Sequence, residues 1–193
     1  MSNEVRISDP DPTWPARAAS VLAGIGAALG SAVIHADHIG STSIPGMAAK
    51  NVLDLQLSVV DLEAAERDFM APLADLGFGF TPYRRDHVPA GSGDSAQNWA
   101  KRTWARRDQP GDDVNLHVRL VGSPNEALAL LFRDWFRAHP KAVPGYAAFK
   151  LTLATHCPDI GGYTEVKDPV VDLVIGIAAD WAAETGWRPH ASA

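Results

Sequence analysis

Two segments of this chain alternate apolar and polar residues for a full strand length: 52–59 (VLDLQLSV) and 114–121 (VNLHVRLV). Successive side chains of a strand point to opposite faces, so each segment predicts a strand with one buried face and one polar face. In the first, Leu53, Leu55, Leu57 and Val59 oppose Asp54, Gln56 and Ser58. In the second, Val114, Leu116, Val118 and Leu120 oppose Asn115, His117 and Arg119. A period of two this clean excludes an all-helical fold. It also poses a question, because the polar faces must be solvated, covered, or used as a site.

The remaining segments predict mostly helices. Residues 12–29 carry Trp14, Ala18, Val21, Leu22, Ile25 and Leu29 at helical spacing before Gly30. Val5–Ile7 reads as a short strand, and 33–39 as a strand running into Gly40-Ser41-Thr42-Ser43. Asp61 stands where an N-cap belongs, opening a helix with Leu62, Ala65, Phe69, Leu73 and Leu76 inward and Gly77 after it. The stretch 78–111 predicts one or two edge strands, including KRTWARR, joined by mobile loops such as RRDQPGDD. Ser123-Pro124-Asn125-Glu126 has the form of a capping box, ahead of a helix with Leu128, Leu131, Phe132 and Trp135 on one face and His139-Pro140 as its stop. A second helix is expected over 143–156, with Tyr146, Phe149 and Leu153. A third is expected from Asp168-Pro169, with Val170, Val174, Ile177 and Trp181 inward. The fold class is therefore α+β: a mixed sheet flanked by helices, with a helical C-terminal third. We read residues 1–193 as a single domain, 1–121 forming the sheet part and 122–187 the helical part packed on it.

Composition narrows the function classes. The chain has 193 residues, 46% of them hydrophobic, which is ample for a core. Seventeen basic against 23 acidic residues give a net charge of −6, and a nucleic-acid binder normally carries a basic face. On that ground Arg102, Arg106 and Arg107, near Trp99 and Trp104, read as surface arginines. Cys157 is the single cysteine, the N-terminus has no apolar leader segment, and no apolar run has membrane-spanning length. The expectation is a cytoplasmic protein away from membranes.

The candidate chemistry centres on His38-Ile39-Gly40-Ser41-Thr42-Ser43-Ile44-Pro45-Gly46, followed by Lys50 and the strand bearing Asp54 and Gln56. A Gly-Ser pair at a strand end presents backbone N–H groups and hydroxyls, a general way to hold phosphate. Each part alone is an ordinary turn, strand or lysine. Together they place loop, cation and carboxylate in an order that phosphate chemistry can use. If both alternating strands share one sheet, Asp54, Gln56, Asn115 and His117 line one cleft beside the Gly40–Ser43 turn, with Arg119 in the same row and His38 at the turn's entry. Lys150 lies four residues after Tyr146 and can add a cation; Tyr163 and Lys167 have the same spacing.

The segment HIGSTSIPGMAAKNVLDLQLSV closely resembles the signature of the GrpB family of bacterial proteins. The resemblance extends through DPTWP, NLHV, FRDWFRAHP, GYAAFKLTLA and YTEVKDP. It implies a nucleotidyltransferase-like fold, in which Gly-Ser precedes a strand with metal-binding carboxylates. Gly40 and Ser41 then match the phosphate-side pair and Asp54 the first, catalytic metal carboxylate. An active nucleotidyltransferase also carries a second acid two positions on and a third on a neighbouring strand. This chain has Gln56 and His117 there. The resemblance thus implies a metal-dependent nucleotidyltransferase-like protein acting on a nucleotide or phosphorylated small molecule, with Mg²⁺ or Mn²⁺ held weakly by Asp54, Gln56 and His117, or a degenerate form that senses such a ligand without turnover. A protein-interaction module on the same scaffold is the alternative.

Overall fold

The computed structural model describes residues 5–107, 113–157 and 159–190. Its centre is a five-stranded sheet of β1 (His35–Ile39), β2 (Val52–Val59), β3 (Gly79–Phe80), β4 (Lys101–Arg106) and β5 (Asp113–Leu120), in the order β1-β2-β5-β4-β3. The two alternating strands, β2 and β5, are parallel neighbours at its middle; the other pairings are antiparallel. The sheet is mixed, as expected.

The register explains both faces. Leu53 pairs with Val114, Leu55 with Leu116 and Leu57 with Val118, and all six side chains have zero exposure. Helices α1 (Trp14–Leu29) and α2 (Leu62–Asp75) close this face, contributing Trp14, Ala18 and Ile25 from one and Leu62, Ala65, Phe69 and Leu73 from the other. Fully burying each such leucine contributes about 1.5–3 kcal/mol. Asp61 starts α2 as the sequence predicts, its carboxylate accepting from Glu63 N at 2.8 Å and Ala64 N at 3.0 Å.

The opposite face pairs Asp54 with Asn115, Gln56 with His117 and Ser58 with Arg119. Helix α3 (Pro124–Ala138) covers the Gln56–Ser58 end. Below it, α3 packs on α4 (Val143–His156) and α5 (Ile160–Thr185) through Phe132, Trp135, Phe136, Val143, Tyr146 and Ala178, joined by Ile44 and Met47.

Four local expectations are corrected. Ser123 makes no capping bond: its hydroxyl donates to Leu120 O and Asn125 Oδ1 at 2.7 Å, while Glu126 is buried and accepts from Gly122 N at 2.6 Å. Helix α5 begins at Ile160, capped by Asp159 on Gly162 N at 2.9 Å, and Pro169 lies inside it. The two glycines after Ile160 masked this helical start, because proline marks a first turn more often than an interior. Ile177 is 51% exposed, and Ala178 takes the inward position. Val5–Ile7 forms no strand; instead Ser8 and Ala49 exchange backbone hydrogen bonds of 2.8 and 3.0 Å. The loop expected over RRDQPGDD falls mostly outside the described residues. No described helix is long and apolar enough to cross a membrane.

Candidate functional site

A cavity of about 790 Å³ opens over the beginnings of β2 and β5, on the polar face that α3 leaves uncovered. Its walls come from the turn after β1, the 81–87 segment beside β4, and the facing sides of α4 and α5. The 81–87 wall is tied down by backbone bonds, Thr81 N to Thr103 O and Asp86 N to Trp99 O, each 2.9 Å.

Gly40 sets how closely the turn approaches Asp54. Its φ of 67° and ψ of −170° are accessible essentially to glycine alone. A Cβ built there would lie 2.7 Å from Asp54 Oδ2. The 3₁₀ turn Ser41–Ser43 follows, and its hydroxyls divide. Ser43 Oγ donates to Gly40 O at 2.6 Å, and Thr42 Oγ1 meets His38 Nε2 at 2.9 Å. Arg137 fixes the turn from α3 by donating to Ser43 O at 2.8 Å. Ser41 and Thr42 line the cavity, whereas Gly40, Ser43 and His38 stand behind it. Burial and the Arg137 charge lower His38 to about 4, so its ring is neutral.

Asp54 accepts from Asn115 Nδ2 at 2.7 Å and faces His117 Nε2 at 3.6 Å. Burial alone would raise its pKa, but His117, Asn115 and Lys50 outweigh this and bring it down to about 2. Burial lowers His117, favouring the neutral ring. Lys101 Nζ lies 3.4 Å from His117 Nδ1, so these partners assign the ring proton to Nε2, facing Asp54. Lys101 is itself held by Asp86 at 2.6 Å.

Lys50, Lys150 and Lys167 also line the cavity. Lys150 is 2% exposed and donates to Ser41 Oγ at 2.9 Å. Burial first, then Lys167 and Lys50, lower it to about 7, with Asp54 opposing. Burial and Lys167 likewise lower Lys50, which sits 5.4 Å from the centre of the Tyr163 ring. Among the described residues no salt bridge joins any of the three lysines to a carboxylate. Lysines that depress one another's pKa leave an electrostatic demand for an anion.

Gln56 and Arg119, like His38, were expected in the cleft and are elsewhere. Gln56 has zero exposure, its amide donating to Glu126 O at 3.4 Å and its Oε1 accepting from Arg119. Arg119 is 5% exposed and also donates to Asp86 at 2.8 Å. The expected Asp54–Gln56–His117 metal set therefore does not fit a divalent ion. Gln56 Oε1 is taken by a guanidinium, His117 Nδ1 by an ammonium, and Asn115 Oδ1 by Arg107. Among the described residues no group of three or more His, Cys, Asp or Glu is placed to hold a metal.

The sequence reading passed over Lys101 and Asp86 and took Arg107 for a surface arginine; all three line the cavity. The arginine patch disperses: Arg102 pairs with Glu66, Arg106 lies over Phe78 at 5.1 Å, and Trp99 and Trp104 are core residues. The sequence signal for Lys101 was strand parity, which puts Lys101 and Thr103 on the same face as His117.

Comparisons with known proteins agree with this architecture. The family model described as GrpB protein matches residues 4–176. A dephospho-CoA kinase of Mycolicibacterium paratuberculosis is 37% identical over 96% of this chain and 48% of its own length. A UPF0157 protein of Pseudomonas aeruginosa is 31% identical over 91% of this chain and 68% of its own. The chain thus spans about half the length of the kinase relatives. The crystal structure of the conserved protein GrpB from Enterococcus faecalis superposes with a TM-score of 0.71 at 22% identity, covering 90% of this chain and 96% of that one, and so shares the fold. With the family model matching nearly the whole chain, and the Gly40–Ser41 turn seated against Asp54 on β2, this chain belongs to the GrpB family.

Proposed function

We propose that the cleft binds a nucleotide or another phosphorylated small molecule, with its phosphate among Lys50, Lys150 and Lys167 beside Ser41 and Thr42. The observation carrying this reading is the convergence of three lysines, without a carboxylate salt bridge among the described residues, in one cavity of ligand size. Lys150 supports it most, because its buried nitrogen, held by one serine hydroxyl, gains a hydrogen-bond partner when phosphate arrives. Asp54, kept ionised, contacts the neutral, donor part of a ligand. The kinase name of the mycobacterial relatives belongs to proteins twice this length, and it is compatible with a phosphorylated ligand. Mg²⁺ or Mn²⁺ belongs to this reading only as an ion carried by the ligand's own phosphate oxygens. A nucleotidyltransferase-like reaction remains the finer form of the proposal.

A second reading, a protein-interaction module, is favoured by an exposed apolar row on α5: Val166 at 46%, Leu173 at 67% and Ile177 at 51%. The row lies on the outer side of α5, so both readings can hold together.

Thermal unfolding with pyrophosphate and a panel of nucleotides tests the first reading. A ligand at a hundred times its dissociation constant adds about 2.7 kcal/mol of stability. Stabilisation by at least one phosphate-bearing compound, lost in Lys50→Ala and Lys150→Met, is the expected result. Equal unfolding in all three proteins with every compound would remove the reading.

A further inference from the structure

Lys150 and Ser41 are 109 positions apart in the chain, yet Lys150 Nζ lies 2.9 Å from Ser41 Oγ inside the cleft. A serine hydroxyl within hydrogen-bond reach of a buried lysine is a recurring nucleophile–base arrangement. Resting on the phosphate-binding reading above, we propose that Ser41 is a nucleophile toward phosphorus and that Lys150 is the base accepting its proton.

Two observations separate this pair from a plain hydrogen bond. The first is the division of hydroxyls in the turn. Ser43 is committed to Gly40 O and Thr42 to His38, so Ser41 is the hydroxyl of the turn that meets a cleft cation. The second is the company Lys150 keeps. Lys50 faces it from the segment after the turn, Lys167 from α5 and Asp54 from β2, while the Tyr146 ring of its own helix is centred 5.3 Å from the Lys150 nitrogen. Two cations against one anion, in a buried position, favour the neutral amine, and only the neutral amine can accept a proton. Its pKa of about 7 is consistent with that environment.

The step balances as a substitution at phosphorus. A bond forms between Ser41 Oγ and the phosphorus of a phosphoric anhydride or ester. The bond from phosphorus to the leaving oxygen breaks, and its electron pair departs on that oxygen. The hydroxyl proton passes to Lys150 Nζ, and the resulting ammonium can return it to the leaving oxygen. Lys50 and Lys167 line the same cavity and offset charge building on the phosphoryl oxygens.

Diisopropyl fluorophosphate is a suitable probe, because it is uncharged and reacts with an activated serine by losing fluoride. The folded wild-type chain is expected to acquire one organophosphoryl group, located at Ser41 by peptide mass. Its rate should rise with pH through about 7 as Lys150 loses its proton. Lys150→Arg keeps the charge but supplies no base, and should slow labelling by about a hundredfold. The pH profile is read on the unaltered protein and so does not depend on the variant folding. Ser41 unlabelled at pH of about 9, a rate that ignores pH, or wild-type labelling in folded Lys150→Arg would each overturn the proposal. Pyrophosphate binding measured on the same samples separates the two ideas: retained binding with an inert Ser41 removes the nucleophile and leaves the phosphate reading standing.

Discussion

Replacing Gly40 by alanine tests whether the turn and the Asp54 carboxylate form one unit. Two costs follow from the geometry. The backbone at φ 67° and ψ −170° lies in the region reserved for glycine, where another residue costs about 1–3 kcal/mol. The new methyl would also sit 2.7 Å from Asp54 Oδ2 and 3.0 Å from its Cβ, so the carboxylate must move. Moving it gives up the 2.7 Å bond from Asn115, a charged-group hydrogen bond worth about 1.5–3 kcal/mol. Together these predict a loss of about 3–5 kcal/mol, a large share of an ordinary domain's stability. Urea unfolding followed by tryptophan fluorescence measures it. Gly46→Ala is the control: its φ of 75° is also positive, but its new methyl would meet nothing closer than Val143 Cγ1 at 4.0 Å. If Gly40→Ala costs no more than Gly46→Ala, the close approach to Asp54 has no energetic weight and the reasoning fails.

Four further outcomes follow. Asp86→Asn should cost about 3–5 kcal/mol in the same urea assay, because Arg119 and Lys101 stay buried without their shared anion; a loss under about 1 kcal/mol would contradict the network. Lys150 has a folded pKa of about 7 against an unfolded value of 10.5, so the unfolded chain binds more protons between them; stability should rise with pH across that window, and Lys150→Met should flatten the rise. Asp54 has the same sign in an acid window: with a folded pKa of about 2 and an unfolded one of 3.8, its contribution is present above the unfolded value and lost as pH falls between them, an acid limb absent from Asp54→Asn. Calorimetric titration of Mn²⁺ without nucleotide should give negligible heat in wild type and in Gln56→Asp alike, because position 56 faces Arg119 rather than the cleft; a site appearing in the variant would restore the metal reading.

What was legible in the sequence was local. Strand β2 occupies 52–59 and α4 occupies 143–156 as read, because alternation in one and helical spacing in the other are set by neighbours in the chain. Asp61 caps α2 for the same reason. The start of α5 was missed because its signals conflict: Gly161 and Gly162 argue for a loop, while the Asp159 cap and the later apolar positions argue for a helix. Gly40, Ser41, Lys50, Asp54, Asn115, His117 and Lys150 meet around one region because the β2–β5 register and the α4 packing bring them there. Nothing local announced Asp86, whose partners Lys101, Arg119 and Asn125 lie 15, 33 and 39 positions away.

Gln56 shows why a polar strand face cannot be assigned as a unit. Asp54 and Gln56 are two positions apart on the same side of β2, so parity gives them one environment. The difference arises at α3, which crosses the sheet at one end only. There Glu126 receives Ser58, and its backbone oxygen receives Gln56, so the row continues inward as a buried polar network through Arg119, which reaches Asp86 at the cavity wall. Asp54 and Asn115 lie beyond that cover and meet the cavity. The covered half carries a consequence for the open half. Asp86 gathers Arg119, Lys101 and Asn125 at 2.8, 2.6 and 2.9 Å, and Lys101 in turn faces His117 Nδ1 at 3.4 Å. The interior network thereby orients the imidazole that confronts Asp54. An amide at position 56 suits this role better than a carboxylate: it accepts from Arg119 and donates to Glu126 O at once, which an ionised acid cannot do. The departure from a two-carboxylate pattern is thus the chemistry of a residue that holds the site from behind.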